Sequence, residues 1–379
     1  MIEKNYENEE YEFLSLYDLI NKEIKRLNNK KYNSLAYFIT DDKKSADFIN
    51  SLLNDNAYTD YEMKDSMYKI SQVRARHVAI TYLMGLVFWP FIEKNLHLDN
   101  EQSIEYKSMW LKISLYHDRG YFSKYIKKDD LVYNKVWKYD LLSDVYDNIL
   151  LRELNFFNNI HKEVCAYTNE EIRDYDAYVR EYHKNSNRKS DERIDHGILG
   201  AVITFNELVK KFLKGIDEDT SLIDIKTICM TVAQHNIFKS PNDKYDDEYR
   251  KFNLNKLIST SDFRIGREYP YLYILSLVDT IECIKLFSKK DPLGDEGSFN
   301  ALTVLKNISL CFGKMNKEIL LDFSSLKKKC LEKDKNKKKK YMVEKYNKHK
   351  NSIKGLKSWT TFDVKVCKSN RNILSIICR

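Results

Sequence analysis

Residues 111–123 read LKISLYHDRGYFS. An apolar helical run from Leu111 to Tyr116 closes on His117 and Asp118, side by side, and Gly120 then marks a stop. An imidazole and a carboxylate at the inner end of a buried helix are costly to remove from water unless something satisfies both. A hydrogen-bond network would do so, and so would a metal ion. The choice between them decides what the surrounding helices are for.

Working outward, the same situation recurs. A helix over roughly 102–117 places Tyr106, Trp110, Ile113 and His117 on one stripe at i, i+4, i+7 and i+11. A helix over 63–87, MKDSMYKISQVRARHVAITYLMGLV, puts His77 on the stripe of Val73, Ile80 and Met84, and Trp89-Pro90 is expected to end or kink it. A third helix, 221–236, aligns His235 with Ile228 and Val232. A fourth opens with Pro270 at its first position and aligns Asp279 with Leu272 and Leu275. His196 follows Asp195, a capping residue, at the start of HGILGAVITFNELVKKFL. Taken singly, each inward histidine reads as a hydrogen-bonded core residue, and Asp279 as a partner for Arg74 or Arg76. Together, five segments each bring an imidazole or carboxylate to a core-facing or helix-end position. One shared metal centre satisfies all of them at once.

The bulk composition agrees with a helical protein. The chain has 379 residues, 43% hydrophobic, with 10 Gly and 4 Pro, which favours a mainly α fold over a turn-rich sandwich. FLSLYDLINKEIKRL, within 10–55, has helical spacing, and the end of the chain, TTFDVKVCKSNRNILSIIC, reads as a β-hairpin. The net charge of +8 is concentrated late, in KKKCLEKDKNKKKKYMVEKYNKHK over 327–350. Such a run reads first as a solvated helix face and second as a track for nucleic acid or an anionic surface. Seven cysteines with no CxxC pair suggest free thiols in a reducing compartment, with Cys229 and Cys283 in the core. The polar, acidic start MIEKNYENEEYEF is no signal peptide, and the apolar stretch Val78–Ile92 falls short of the about 20 residues that span a bilayer. A cytoplasmic protein without a membrane partner is the expectation.

The ordered set His77, His117-Asp118, His196, His235, Asp279 resembles the HD superfamily of metal-dependent phosphohydrolases, whose pattern is H…HD…H…H…D on an all-helical core. The surroundings RARHVAITYL, LYHDRGY, RIDHGILGA, AQHNIF and LVDTIEC are similar too, and the likeness covers about residues 65–290. The resemblance implies a first metal held by His77, His117, Asp118 and Asp279, with Asp118 bridging to a second held by His196 and His235. It implies two divalent transition metals per chain, Mn²⁺, Fe²⁺, Co²⁺ or Ni²⁺, as suits a mixed nitrogen and oxygen donor set. It implies a phosphodiesterase acting on a nucleotide or cyclic nucleotide through a metal-bridging hydroxide, with Asp118 and Arg119 catalytic. Of the polar residues close to these in sequence, Arg119, Arg193 and Lys239 are placed to clamp phosphate oxygens, with Asn236 beside them, and Asp195 or Glu282 to orient a ligand imidazole.

The chain departs from known branches. Arg119-Gly120-Tyr121 follows the HD pair where the HD-GYP branch has a lysine and its GYP signature, and the HDxxED form is absent. The extra His and Asp residues of the deoxynucleotide triphosphohydrolases are also missing. The long interval between Asp118 and His196 implies an inserted helical element, 119–194, that could form a lid. The expected organisation is an N-terminal helical segment (1–62), an HD-type catalytic domain (63–295) and a basic helical extension ending in the hairpin (296–379), the last boundary resting on DPLGDEGS. Two other readings keep the fold: a nuclease on single-stranded nucleic acid guided by the lysine-rich tail, and a non-catalytic nucleotide sensor or scaffold.

Overall fold

A computed structural model describes residues 12–27, 33–36, 72–96, 100–118, 197, 200–201, 204, 208, 221–235, 270–287, 299–313, 318–336, 341–359, 362–366 and 373–378. They are mostly helical, with a small antiparallel sheet toward the C-terminus. The elements are β1 (Leu14–Ser15), α1 (Leu16–Arg26), α2 (Gln72–Leu96), α3 (Asn100–Tyr116), α4 (Leu222–Gln234), α5 (Pro270–Ile281), α6 (Ile284–Phe287), α7 (Ala301–Lys306), β2 (Ser309–Phe312), β3 (Glu318–Asp322), α8 (Ser324–Asn336), α9 (Tyr341–Trp359), β4 (Phe362–Val366) and β5 (Ile373–Cys378). The chain divides into two compact units, one of Met1–Leu52, Ser71–Ser103 and Leu277–Arg379, the other of Leu53–Ile70 and Ile104–Ser276. Among the described residues no helix is long and apolar enough to cross a membrane.

The first unit is built on a five-stranded sheet in the order β1-β2-β3-β5-β4, every neighbouring pair antiparallel. The hairpin read from VKV and ILSII is its β4–β5 edge, with Val364 opposite Ile376. Strands β2 and β3 escape the sequence pattern for a physical reason. Glu318, Ile319, Leu320 and Leu321 are all buried, so the central strand β3 lacks the inside–outside alternation that announces a strand. The carboxylate this buries, Glu318, accepts a hydrogen bond from the Ser375 hydroxyl on β5. Gly313 makes room for it: a Cβ there would stand 2.9 Å from the Glu318 Cβ. Helix α1 begins where Ser15 accepts from the Asp18 N–H (3.1 Å) and buries Leu16, Ile20 and Ile24.

Of the two outcomes expected at Trp89-Pro90, an end or a kink, the structure excludes the end: helix α2 runs through the proline to Leu96. An interior proline costs about 3 kcal/mol. Its flanks Phe88, Phe91 and Ile92 are all buried, at about 1.5–3 kcal/mol each, which outweighs that cost, and Pro90 itself is exposed. Upstream, Ile80 and Met84 are buried along with His77, and so are Val78, Ala79, Tyr82 and Leu83, so this part of α2 is buried on every side. Apart from residues 12–27 and 33–36, the N-terminal segment expected to be helical (1–62) lies outside the described residues, as does the start of the 63–87 helix.

The second unit holds α3 from Ile104, α4 and α5 through Ser276, together with Gly197, Gly200, Ala201, Thr204 and Leu208, all in helical backbone. Its core includes Trp110, Ile113, Ile225, Ile228, Val232 and Leu275. Tyr106 stacks on Trp110 and on Tyr271, with centroids 6.0 and 5.5 Å apart. Helix α4 starts on a complete capping box: Ser221 Oγ accepts from the Asp224 N–H (3.1 Å) and Asp224 accepts from the Ser221 N–H (2.8 Å). Ser221→Ala is expected to lower unfolding stability by about 1 kcal/mol, read as a shifted urea midpoint with unchanged slope. Cys229 and Cys283 are buried free thiols. Burial, then the Glu282 carboxylate, pushes the Cys283 thiol well above its usual range, which marks it as an inert core residue.

Candidate metal centre

Two helices of the second unit end in the same way. At the end of α3, His117 folds back so that its Nδ1 lies 2.7 Å from the Ser114 carbonyl oxygen. At the end of α4, His235, the C-cap residue, places its Nδ1 2.6 Å from the Val232 carbonyl oxygen. The last turn of any helix leaves carbonyls without intrahelical donors, and a histidine three residues on can satisfy one. A carbonyl oxygen only accepts, so in both rings Nδ1 carries the proton and donates it. This fixes the tautomer and the ring plane.

The other ring nitrogens face a carboxylate. Asp118 Oδ1 lies 3.7 Å from His117 Nε2 and 3.9 Å from His235 Nε2, and the two rings meet edge to face at 5.3 Å. All three side chains are buried. These separations exceed a hydrogen bond. Neutral imidazoles would direct both Nε2 lone pairs at a carboxylate, which is repulsive. Doubly protonated rings would bury two cations against one anion. A cation among the three removes the conflict. With bonds of about 2.0–2.2 Å, neighbouring donor atoms on one metal stand roughly 3 Å apart and opposite ones roughly 4 Å, which brackets both distances.

In the first unit, His77 on α2 is fully buried between two carboxylates from the end of α5. Its Nδ1 lies 2.6 Å from Glu282 Oε2, and its Nε2 lies 3.2 Å from Asp279 Oδ1. Glu282 is itself held, because its Oε1 accepts the Ile284 N–H at 2.6 Å where α6 begins. Asp279 is partly open, with a side chain 16% exposed. The carboxylate on Nδ1 makes the ring a better electron donor at Nε2, as in the carboxylate–histidine–metal arrangement.

Within the second unit, the buried His117, Asp118 and His235 could hold a metal ion, and their imidazole and carboxylate donors fit a divalent cation. His196, Arg119, Arg193, Asp195, Asn236 and Lys239 lie outside the described residues. Of the two residues expected to orient a ligand imidazole, Glu282 is the described one, and its Oε2 lies against His77 Nδ1. The Ser114 and Val232 carbonyls were not anticipated. Their signal in the sequence is positional: a histidine at a helix end lies three residues beyond a carbonyl that needs a donor.

Compared with known family models, curated proteins and solved structures, the chain matches none.

Proposed function

We propose that this chain is a metal-dependent phosphohydrolase of the HD type, acting as a phosphodiesterase on a nucleotide or cyclic nucleotide. The observation that carries the reading is the pair of Nδ1-protonated histidines, His117 and His235, whose Nε2 atoms face the same Asp118 oxygen. His77, His117, Asp118 and Asp279 would hold one divalent ion, and Asp118, His196 and His235 a second. Mn²⁺, Fe²⁺, Co²⁺ or Ni²⁺ suits these donors better than Mg²⁺, which prefers oxygen. Bound there, such ions supply Lewis acidity toward a phosphoryl oxygen and a nucleophile at neutral pH.

The protein's own part is preorganisation. The Ser114 and Val232 carbonyls hold two imidazoles in one tautomer, and Glu282 holds the third. Asp118, whose Oδ1 faces Nε2 of both His117 and His235, would be a ligand to both ions. Arg119 follows it directly, and Arg193, Asn236 and Lys239 flank His196 and His235 in sequence, where cations and an amide suit the binding of phosphate oxygens.

The test is a substrate screen in Mn²⁺ over nucleotides, cyclic dinucleotides and single strands, run on the intact chain and on His235→Ala. Turnover by the intact chain that disappears in the variant is the expected result. Metal binding with no turnover of any substrate would leave a sensor in place of an enzyme.

A further inference from the structure

The metal centre makes no use of α8 and α9, which pack against each other in the first unit and carry a large net positive charge. Residues 324–359 contain fourteen lysines and three acids, a charge of +11 in a chain of net +8, so the remainder is net −3. The two helices alone hold ten of those lysines against Glu332, Asp334 and Glu344. Basic charge is therefore concentrated on one helical pair.

The charge is also crowded. Lys350 and Lys354 are one turn apart on α9, and both are only partly exposed, as is Lys327 on α8. Burial, then Lys354 and Lys327, lowers the Lys350 amine below the usual lysine range, so charge from both helices acts at one place. Lys328, Lys329 and Lys348 are exposed. Helices stabilised for their own sake alternate signs at i, i+4, whereas like charges there are destabilising. A surface that accumulates amines across two helices suits a ligand with many regularly spaced negative charges.

We propose that the α8–α9 pair is a docking surface for the phosphate backbone of a nucleic acid, with Lys327, Lys350 and Lys354 at its centre and Lys328, Lys329 and Lys348 extending it. Compact amines contact phosphates as point charges and read no bases, so binding is insensitive to sequence. A polymer is favoured over a mononucleotide, because only a polymer engages amines from both helices together and releases several counterions.

The test is fluorescence anisotropy of a labelled mixed-sequence 20-mer, single-stranded, with the full-length protein in EDTA at several salt concentrations. It reads binding without metal or turnover, so its failure is distinct from failure of the phosphohydrolase reading. Lys327→Gln/Lys350→Gln/Lys354→Gln is expected to weaken binding at least about tenfold at 0.1 M salt. It should also lower the slope of log K against log salt by about 2, since each phosphate contact on a single strand contributes about 0.7. Lys328→Gln/Lys329→Gln/Lys348→Gln, at exposed positions, gives the same reading if the first variant folds poorly. Unchanged affinity and slope in a folded variant overturn the proposal. So does absent binding at low salt, or binding to vesicles containing phosphatidylserine in preference to the oligonucleotide.

Discussion

Asp118→Asn is expected to abolish Mn²⁺-dependent hydrolysis of bis-p-nitrophenyl phosphate, lowering kcat/KM by at least about 1,000-fold. Loss of an outer partner of a metal ligand costs about 10–100-fold. Asp118 stands deeper, its Oδ1 facing Nε2 of both His117 and His235. Asparagine keeps the shape and removes the charge that a divalent ion requires. The metal-free protein gives an independent reading. If Asp118 served only to pair with protonated imidazoles, neutralising it would strand buried charge and cost about 3–5 kcal/mol. If it waits for a cation, its burial is a cost in the metal-free state. The melting temperature in EDTA is then unchanged or higher in the variant. Calorimetry of both proteins in EDTA distinguishes the two, and a large destabilisation with activity retained would contradict the ligand role.

Glu282→Gln is expected to weaken metal binding by about 10–100-fold while leaving turnover at saturating metal close to that of the parent. Glu282 Oε2 accepts the His77 Nδ1 proton and Oε1 accepts the Ile284 N–H. The amide preserves one acceptor and withdraws the negative charge that strengthens donation at Nε2. The readout is the Mn²⁺ concentration giving half-maximal activity. A rise in that value with kcat preserved marks a positioning residue. An unchanged value would mean that His77 needs no carboxylate behind it.

The buried placement of these histidines was legible in the sequence, but from the apolar run more than from its period. Tyr106, Trp110, Ile113 and His117, which share a stripe at i, i+4, i+7 and i+11, are all buried, and so are Leu111, Leu115 and Tyr116 between them. The same holds for Ile228, Val232 and His235. Pro270 opens α5 because its missing N–H is one the first helical turn does not use. What the sequence hid has three causes. The β3 strand is apolar on both faces and so shows no period of two. Pro90 obeys burial on either side of it before its own propensity. The carbonyl partners of His117 and His235 are backbone atoms, invisible to a reading of side-chain types, although their place in the last helical turn makes them foreseeable.

Equilibrium dialysis of the full-length protein against Co²⁺, followed by its visible absorption, asks the central question without naming a substrate. Stoichiometric uptake of at least one ion per chain, with ligand-field bands that vanish in His117→Ala and in Asp118→Asn, is the expected result. A folded protein that takes up no Co²⁺, or binds it equally well in both variants, would mean that these buried imidazoles and carboxylates serve the core alone.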